Sequence, residues 1–280
     1  MTAAAAHVQR KTLPGFRLTM GFTLLYLALI VIGPLSSLFG KTQALGLGEL
    51  VAALTAPRVL AAFRLSLGAA ILAAVVDALA GLLIAWVLVR YTFFGKRIIE
   101  ALIDIPLALP TAVAGIALTT AYSENGVLGR HLAAHGIAVA FTPLGVTLAL
   151  VFVGLPFAVR AVQPVLADIE KELEEAASSL GATRIQIFRR VTFPLILPAI
   201  VSGAAQAFAR AVGEYGSVVF ISGNMPMKTE IVPLLIVTKL EQYDYAGATA
   251  LAAAMLLLSL GLLILLHRLQ GAIQVGGEHT

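Results

Sequence analysis

Six long apolar runs constrain the fold of this chain more than any other feature. They cover residues 16–39, 60–89, 98–122, 142–165, 193–222 and 246–266. A helix rises about 1.5 Å per residue, so about twenty apolar residues cross the roughly 30 Å hydrocarbon core of a bilayer. Because lipid offers the backbone no hydrogen-bond partner, each run is expected to be helical. The chain is 59% hydrophobic and 12% charged, which is far too apolar for a soluble domain. We therefore predict an all-α polytopic membrane protein with about six transmembrane helices.

The Lys and Arg residues predict the orientation of these spans. Twelve of the 19 lie before or at the start of the first run, between the second and third runs, from Arg160 to the start of the fifth run, or after the sixth run. Five lie in the connections on the other side, and Arg64 and Arg210 are placed within spans. The positive-inside rule then places both termini and the segment 167–192 in the cytoplasm. The first run is expected to be a retained span, since it is long enough to cross and no small-residue cleavage site ends it. The predicted organisation is a cytoplasmic tail over 1–15, one transmembrane domain over 16–268 and a cytoplasmic tail over 269–280.

Several classes of function are disfavoured by the residues present. The chain has no cysteine, which excludes disulfides, a thiol nucleophile and thiolate metal sites. The formal charge of +4 is ordinary for the basic loops of a membrane protein, and no basic segment is interleaved with aromatic residues, so nucleic-acid binding is not expected. His131 and His135 are one helical turn apart, but a third ligand is not apparent and no metal site is predicted.

The segment 167–192 is a charged island between apolar runs. Five acids precede Gly181 and three arginines follow it, and Ile169, Leu173 and Leu180 place an apolar stripe on one face of a short helix. Gly181 ends that helix, and Thr183 with Gln186 forms a capping box that starts a second one. A solvated loop would explain the charge alone. Two amphipathic helices around a sharp break favour a docking surface instead.

The apolar runs also contain prolines and ionisable residues. Pro106 and Pro110 predict a kinked helix, which either lines a pore or merely packs against its neighbours. Asp77 lies in the middle of the second run, where a carboxyl group needs a partner cation, protonation or a polar cavity. Arg210 and Glu214 are four residues apart and can form an ion pair, either as a structural pair or at the border of a translocation path. Small oxyanions can also be held by backbone amides at helix N-termini, so an arginine is not a required ligand.

The charged island carries a resemblance to a known family. Glu175-Ala176-Ala177, then Gly181, then 191–194 (VTFP) resemble the "EAA" loop of the permease subunits of ABC importers, with Val in place of Ile and Phe in place of Leu. Longer stretches are similar to the T-type subunit of the sulfate/thiosulfate branch. They are DIPLALPTAVAG (104–115), VGLPFAVRAVQPVL (153–166), FARAVGEYGSVVFISGN (208–224) and TEIVPLLIVTKLEQYDYAGATA (229–250).

This resemblance implies a type I importer permease fold and a function. The chain would be a non-catalytic plasma-membrane permease that moves sulfate or thiosulfate into the cytoplasm by alternating access. It implies an ATPase dimer that carries the ATP and Mg²⁺, a second homologous W-type permease and an external sulfate-binding protein, with no cofactor on this chain itself. The implied ATPase-coupling residues are Glu175, Ala176, Ala177, Gly181 and Pro194. The expected path candidates are Pro110, Thr111, Arg210, Glu214 and Ser217.

Three alternatives remain at this point. A molybdate or tungstate permease shares the loop and much of the span pattern. An ion-coupled secondary anion transporter would use Asp77, Arg210 and Glu214 as a relay, although no inverted half-repeat is evident. An intramembrane hydrolase lacks a convincing motif, and the chain has no GxxxxGK(S/T) loop with which to bind ATP itself.

Overall fold

The structure is a computed structural model that describes residues 15–42 and 46–277. Within these ranges the chain is helical and contains no strand. The helices are α1 (Phe16–Leu27), α2 (Gly33–Thr42), α3 (Leu47–Thr55), α4 (Pro57–Arg90), α5 (Lys96–Ala108), α6 (Thr111–Tyr122), α7 (Gly129–Ala133), α8 (Pro143–Ala167), α9 (Lys171–Ser179), α10 (Arg184–Ile187), α11 (Phe193–Val212), α12 (Val218–Ser222), α13 (Val232–Glu241) and α14 (Tyr245–Gly277). Two π-helical turns, Ala28–Ile32 and Phe188–Thr192, join α1 to α2 and α10 to α11. Most of the predicted tail 1–15 lies outside the described residues.

The prediction of about six spans is confirmed, with corrections to their ends. Five helical segments of the described chain are long and apolar enough to cross a membrane: Phe16–Ser36, Pro57–Arg90, Pro143–Ala167, Arg184–Val212 and Tyr245–Leu266. The sixth is the pair α5 and α6, which is bent by 114° between its two halves. We name the end of the bundle that carries Arg90 and α9 the inner end, following the charge pattern, and the opposite end the outer end.

Two predicted boundaries were wrong for physical reasons. The run 193–222 is not one helix, because Gly213 ends α11 and α12 begins only at Val218. The second helix of the charged island is not separate from the fifth apolar run. It continues through the π-helical turn into α11, so 184–212 forms one helical segment.

The core is built from α4, α8 and α11, which pack against one another through small residues. A Cβ atom on Gly81 of α4 would lie 3.0 Å from the backbone carbonyl carbon of Ala158 in α8. One on Gly203 of α11 would lie 3.0 Å from the Cα of the same alanine. Close approach of backbones at small residues is the usual way in which helices associate in membranes. The three helices therefore form a tightly packed central unit.

The segment 228–245, between the fifth and sixth apolar runs, is a packed part of the fold. It contains α13, whose Val232, Leu234 and Leu235 are buried against α4 and α14. The backbone N–H of Val232 donates to Ser66 Oγ of α4 at 2.8 Å, and both groups are buried. This part of the chain is therefore part of the packed outer end.

Candidate translocation junction and coupling hairpin

Two broken helices meet near the middle of the bundle. The first break lies between α5 and α6, where Leu109 has an extended backbone and Pro110 caps α6. A residue before proline avoids the helical conformation, and proline itself has no N–H to donate, so the break follows from the sequence. The second break is the segment 213–217 between α11 and α12. We call the contact between these two breaks the junction.

Glycines allow the two breaks to touch. A Cβ atom on Gly115 of α6 would lie 2.9 Å from Ser217 Cα, and one on Gly216 would lie 3.0 Å from Thr111 Cβ. Real Cβ atoms essentially never come this close to other heavy atoms. The start of α6 and the turn 213–217 are therefore in backbone contact, and any larger residue at either glycine forces them apart.

Glu214 holds the turn together. Its side chain is 2% exposed, and its Oε1 accepts hydrogen bonds from the backbone N–H and the Oγ of Ser217, both at 3.0 Å. Its Oε2 accepts from Arg210 Nη1 at 2.5 Å, so the predicted ion pair is present. The Arg210 side chain is 35% exposed, and within the described chain Glu214 is its only hydrogen-bond partner. Its other N–H groups are therefore free to bind a ligand or water.

The structure thus brings the five path candidates into one region. Pro110 and Thr111 begin α6, Ser217 and Glu214 belong to the turn that contacts α6, and Arg210 is paired with that turn. No side chain caps the N-terminus of α6. A helix N-terminus with unbonded N–H groups attracts anions. The junction therefore combines a guanidinium and a helix N-terminus, the two oxyanion-binding elements expected from the sequence.

Asp77 lies in a different place, at the crossing of the three core helices. It is fully buried, and neither carboxyl oxygen has a hydrogen-bond partner among the described residues. Its carboxyl group lies directly over Gly154 of α8 and close to Ala207 of α11. No cation faces it in the described chain, so the predicted option of a partner cation is not observed. A carboxylate without a partner is costly in such an apolar site.

The predicted helix–glycine–helix hairpin is confirmed at the inner end. α9 ends before Gly181, which has a left-handed backbone with φ of 81°. The N–H of Gly181 donates to Ser178 O, and the N–H of Ala182 donates to Ala177 O. Thr183 and Gln186 form the capping box, with Thr183 N donating to Gln186 Oε1 at 2.8 Å. We call residues 171–192 the coupling hairpin.

The tip of the coupling hairpin presents apolar side chains that nothing in the described chain covers. Leu180 is 90% exposed and Ile185 is 70% exposed. Glu175 and Ala176 are also exposed, and Ala177 is half-buried. Pro194 lies outside the tip, in the first turn of α11. An exposed apolar patch with a charged rim is typical of a protein interaction site.

Sequence reasoning missed the residue that attaches this hairpin to the bundle. Glu174 Oε1 accepts a hydrogen bond from Arg90 Nη2, at the end of α4, at 2.5 Å, and another from Thr192 Oγ1 at 2.9 Å. Arg90 also lies 5.4 Å from the centre of the Trp86 ring, a cation–π contact, and Trp86 packs edge-on against Phe188. We call this set the latch. No signal in the sequence links Glu174 to Arg90, because 84 residues separate them.

The outer end holds two internal ion pairs and no described metal cluster. Arg58 forms a bidentate pair with the buried Glu230, at 2.7 and 2.6 Å. The ammonium of Lys239 and the backbone N–H of Gly247 hold the pKa of Asp244 below its ordinary value. His131 and His135 are exposed on the outer surface, and no group of three metal-binding side chains occurs in the described chain.

Comparison with known proteins identifies the family. A family model described as "Binding-protein-dependent transport system inner membrane component" matches residues 77–275. The chain belongs to this family. The matched region runs from Asp77 through the junction and the coupling hairpin into α14. By family, the chain is therefore a membrane component of a transport system.

Curated relatives match almost the whole chain. A probable sulfate transport system permease protein of Nephroselmis olivacea is 50% identical over 250 residues, covering 89% of this chain and 88% of that protein. The sulfate transport system permease protein CysT of Salmonella typhimurium is 44% identical over 261 residues, covering 93% and 94%. CysT of Escherichia coli is similar to the same extent.

Solved structures support the fold. A bacterial ABC transporter that imports alginate superposes with a TM-score of 0.76 at 15% identity, covering 92% of this chain and 96% of that chain. The MetNI methionine ABC transporter superposes with a TM-score of 0.52 at 20% identity, covering 75% and 93%. At such identities the likeness concerns the fold alone, and it confirms the predicted importer permease fold.

Proposed function

We propose that this permease is the T-type membrane subunit of an ATP-driven importer that carries sulfate or thiosulfate into the cytoplasm. The observation that carries the proposal is the 44–50% identity to named sulfate permeases over 88–94% of their length. The family match over residues 77–275 spans both the junction and the coupling hairpin. No observation favours molybdate or an ion gradient over this assignment.

The coupling hairpin is proposed to receive the ATPase dimer. Leu180 and Ile185 supply an apolar centre, and the acids of α9 and the arginines after Gly181 supply a charged rim. This arrangement matches the usual anatomy of a protein interface, an apolar core with a polar rim. The segment 184–212 is continuous, so movement of the hairpin is passed directly to α11 and to the turn 213–217.

The junction is proposed to border the translocation path. Arg210 and the N-terminus of α6 both favour an anion, while Glu214 offsets the charge of Arg210. A carrier has to release its cargo, so a weak site with little net positive charge suits transport better than an unpaired arginine. Broken helices near the middle of a membrane are a frequent location for transported solutes.

The remaining partners are proposed from the uncovered surfaces. No part of the apolar window within Phe16–Ser36 is buried inside the described chain, which fits contact with lipid and with a second, W-type permease. The outer end, including 228–245, is proposed to meet a periplasmic or extracellular sulfate-binding protein. A relative in fold has been solved with a ligand-bound periplasmic protein. Both termini of the chain are proposed to lie in the cytoplasm.

Uptake in a strain that lacks its own sulfate permease tests the assignment. We expect the chain, expressed with its neighbouring transport subunits, to restore ATP-dependent uptake of labelled sulfate, with excess thiosulfate competing and excess molybdate competing weakly. Uptake of molybdate in preference to sulfate would overturn the substrate. Uptake driven by an ion gradient, with no ATPase present, would overturn the class of transporter.

A further inference from the structure

Arg64, like Arg210, is placed within a span by the charge count, but it differs from Arg210. It lies two turns inside the outer start of α4, and its side chain is exposed. Arg210 is neutralised by Glu214, whereas no acidic partner faces Arg64 within the described residues. A charged side chain at membrane depth is costly, and such residues pair, reach an interface or bind a ligand. Arg64 therefore requires an explanation that the junction does not supply.

A cavity of about 630 Å³ lies against Arg64 at the outer end. Lys228 is the second cation in its lining, and no acidic side chain lines it. The α4 part of the lining is apolar on both sides of Arg64: Leu60 lies one turn nearer the outer start of the helix, and Leu65 and Leu72 lie further along it. Gly68 leaves open space between Leu65 and Leu72. The cavity is therefore amphipathic, with two cations and an apolar surface along α4.

The loop that carries Lys228 is held in place by its own backbone. The carbonyl of Met225 accepts hydrogen bonds from the N–H groups of Lys228, Thr229 and Glu230. The N–H of Met225 donates to Oγ1 of the buried Thr229 at 3.0 Å. Met227, beside Lys228, has a positive φ of 64°, a backbone conformation that residues other than glycine rarely adopt. The fold accepts this strain, and the result is a loop that places Lys228 at the cavity.

Two other cations at the outer end are neutralised, Arg58 by Glu230 and Lys239 by Asp244. Arg64 and Lys228 have no acidic partner within the described residues and line one cavity together. Arg130 is also exposed, but it does not line the cavity. None of the junction residues lines this cavity, so its ligand is separate from a solute at the proposed path.

We propose that this cavity, formed by Arg64, Lys228 and the apolar face of α4, binds an anionic phospholipid of the outer leaflet. The phosphate lies between the two cations, and one acyl chain lies along Leu65, Gly68 and Leu72. Basic residues at the membrane surface attract anionic lipids in this way. A free oxyanion such as sulfate fits less well, because it leaves the apolar wall of the cavity exposed.

Lipid retention measured by native mass spectrometry tests the site. The chain is purified with the subunits that co-purify with it, and dioleoylphosphatidylglycerol or dioleoylphosphatidylcholine is titrated separately. We expect the anionic lipid to be retained at concentrations where the zwitterionic lipid is not. Arg64→Gln and Lys228→Gln should each weaken retention about fivefold. Arg130→Gln is the matched control, since Arg130 is an exposed cation of the outer surface that does not line the cavity.

Three outcomes would overturn the proposal. Equal retention of both lipids by the unmodified protein would show that the cavity does not select lipids by the charge of the headgroup, whether or not the variants fold. An unchanged lipid titration in Lys228→Gln, a substitution at an exposed side chain, would exclude a contribution of this cation. A loss of lipid on adding sulfate, together with a raised KM for sulfate in Arg64→Gln, would assign the cavity to the transported anion instead.

Discussion

The latch offers the sharpest test of how the coupling hairpin works. Glu174 is the group through which α9 is bound both to the end of α4, at Arg90, and to the start of α11, through Thr192. Replacing Glu174 by alanine removes both hydrogen bonds and leaves the spans unchanged. We therefore expect the variant to insert and assemble normally but to transmit movement of the hairpin poorly.

The size of the effect follows from the burial of the pair. The Arg90 and Glu174 side chains are 16% and 27% exposed, so the pair is shielded more than a surface ion pair and less than a core one. Hydrogen bonds to charged groups contribute about 1.5–3 kcal/mol. Loss of that contribution lowers the equilibrium ratio of hairpin bound to Arg90 and Thr192 over unbound hairpin by about tenfold to about a hundredfold. Glu174→Gln keeps an acceptor without the charge, so its defect should be smaller.

The assay is sulfate transported per ATP hydrolysed, measured with the complete importer in proteoliposomes. We expect this ratio to fall several-fold in Glu174→Ala, while ATP hydrolysis continues. Glu172→Ala is the matched control, because Glu172 lies on the same helix, is exposed and has no side-chain partner within the described chain. A ratio in Glu174→Ala equal to that of the control would refute the idea that the latch transmits motion.

Three further predictions concern single positions. Gly181→Val should abolish uptake without loss of membrane-inserted protein, whereas Gly181→Asn should keep much of the uptake. Gly181 has a φ of 81° and open space around its Cα, so the backbone conformation and not a clash limits substitution. The left-handed conformation costs most residues roughly 1–2 kcal/mol, and asparagine adopts it at a smaller cost. Arg210→Ala should lower sulfate uptake while the ATPase still co-purifies; loss of the protein itself would show that its pairing with Glu214 is only structural. Asp77→Asn should preserve the melting temperature in detergent, since it removes a potential charge without changing shape, whereas Asp77→Glu should lower it by several degrees.

The features that sequence reasoning predicted are those set by neighbours along the chain. Spans, the capping box at Thr183 and the break at Gly181 each depend on residues within a few positions. The kink near Pro110 was predicted for the same reason, but its 114° angle was not. That angle depends on the turn 213–217, which packs against the start of α6 and is about one hundred residues away in sequence.

The features that sequence reasoning missed depend on distant partners. The Glu174–Arg90 pair and the cavity beside Arg64 join segments with no shared periodicity. The end of α11 at Gly213 was missed because most residues of 193–222 are apolar, so composition alone predicted one helix. The break is visible only in the fold, where Gly216 lies against Thr111 and Ser217 lies against Gly115.

The latch and the junction lie at opposite ends of one mechanical element. The helical segment 184–212 runs from the coupling hairpin to the turn that holds Arg210 and Glu214, a length of roughly 40 Å at about 1.5 Å per residue. Glu174 binds the hairpin to α4 as well, and α4, α8 and α11 are packed too closely at Gly81 and Gly203 to slide independently. A push on the hairpin therefore moves the three core helices together. The helix α5 is attached to α8 by the ion pair of Asp104 with Arg160. We therefore propose that relative movement is left to α6, which is separated from α5 by the break at Pro110 and contacts the core at the junction. Motion that begins at the hairpin thus changes the contact between Thr111 and the turn 213–217, where an anion would be held or released.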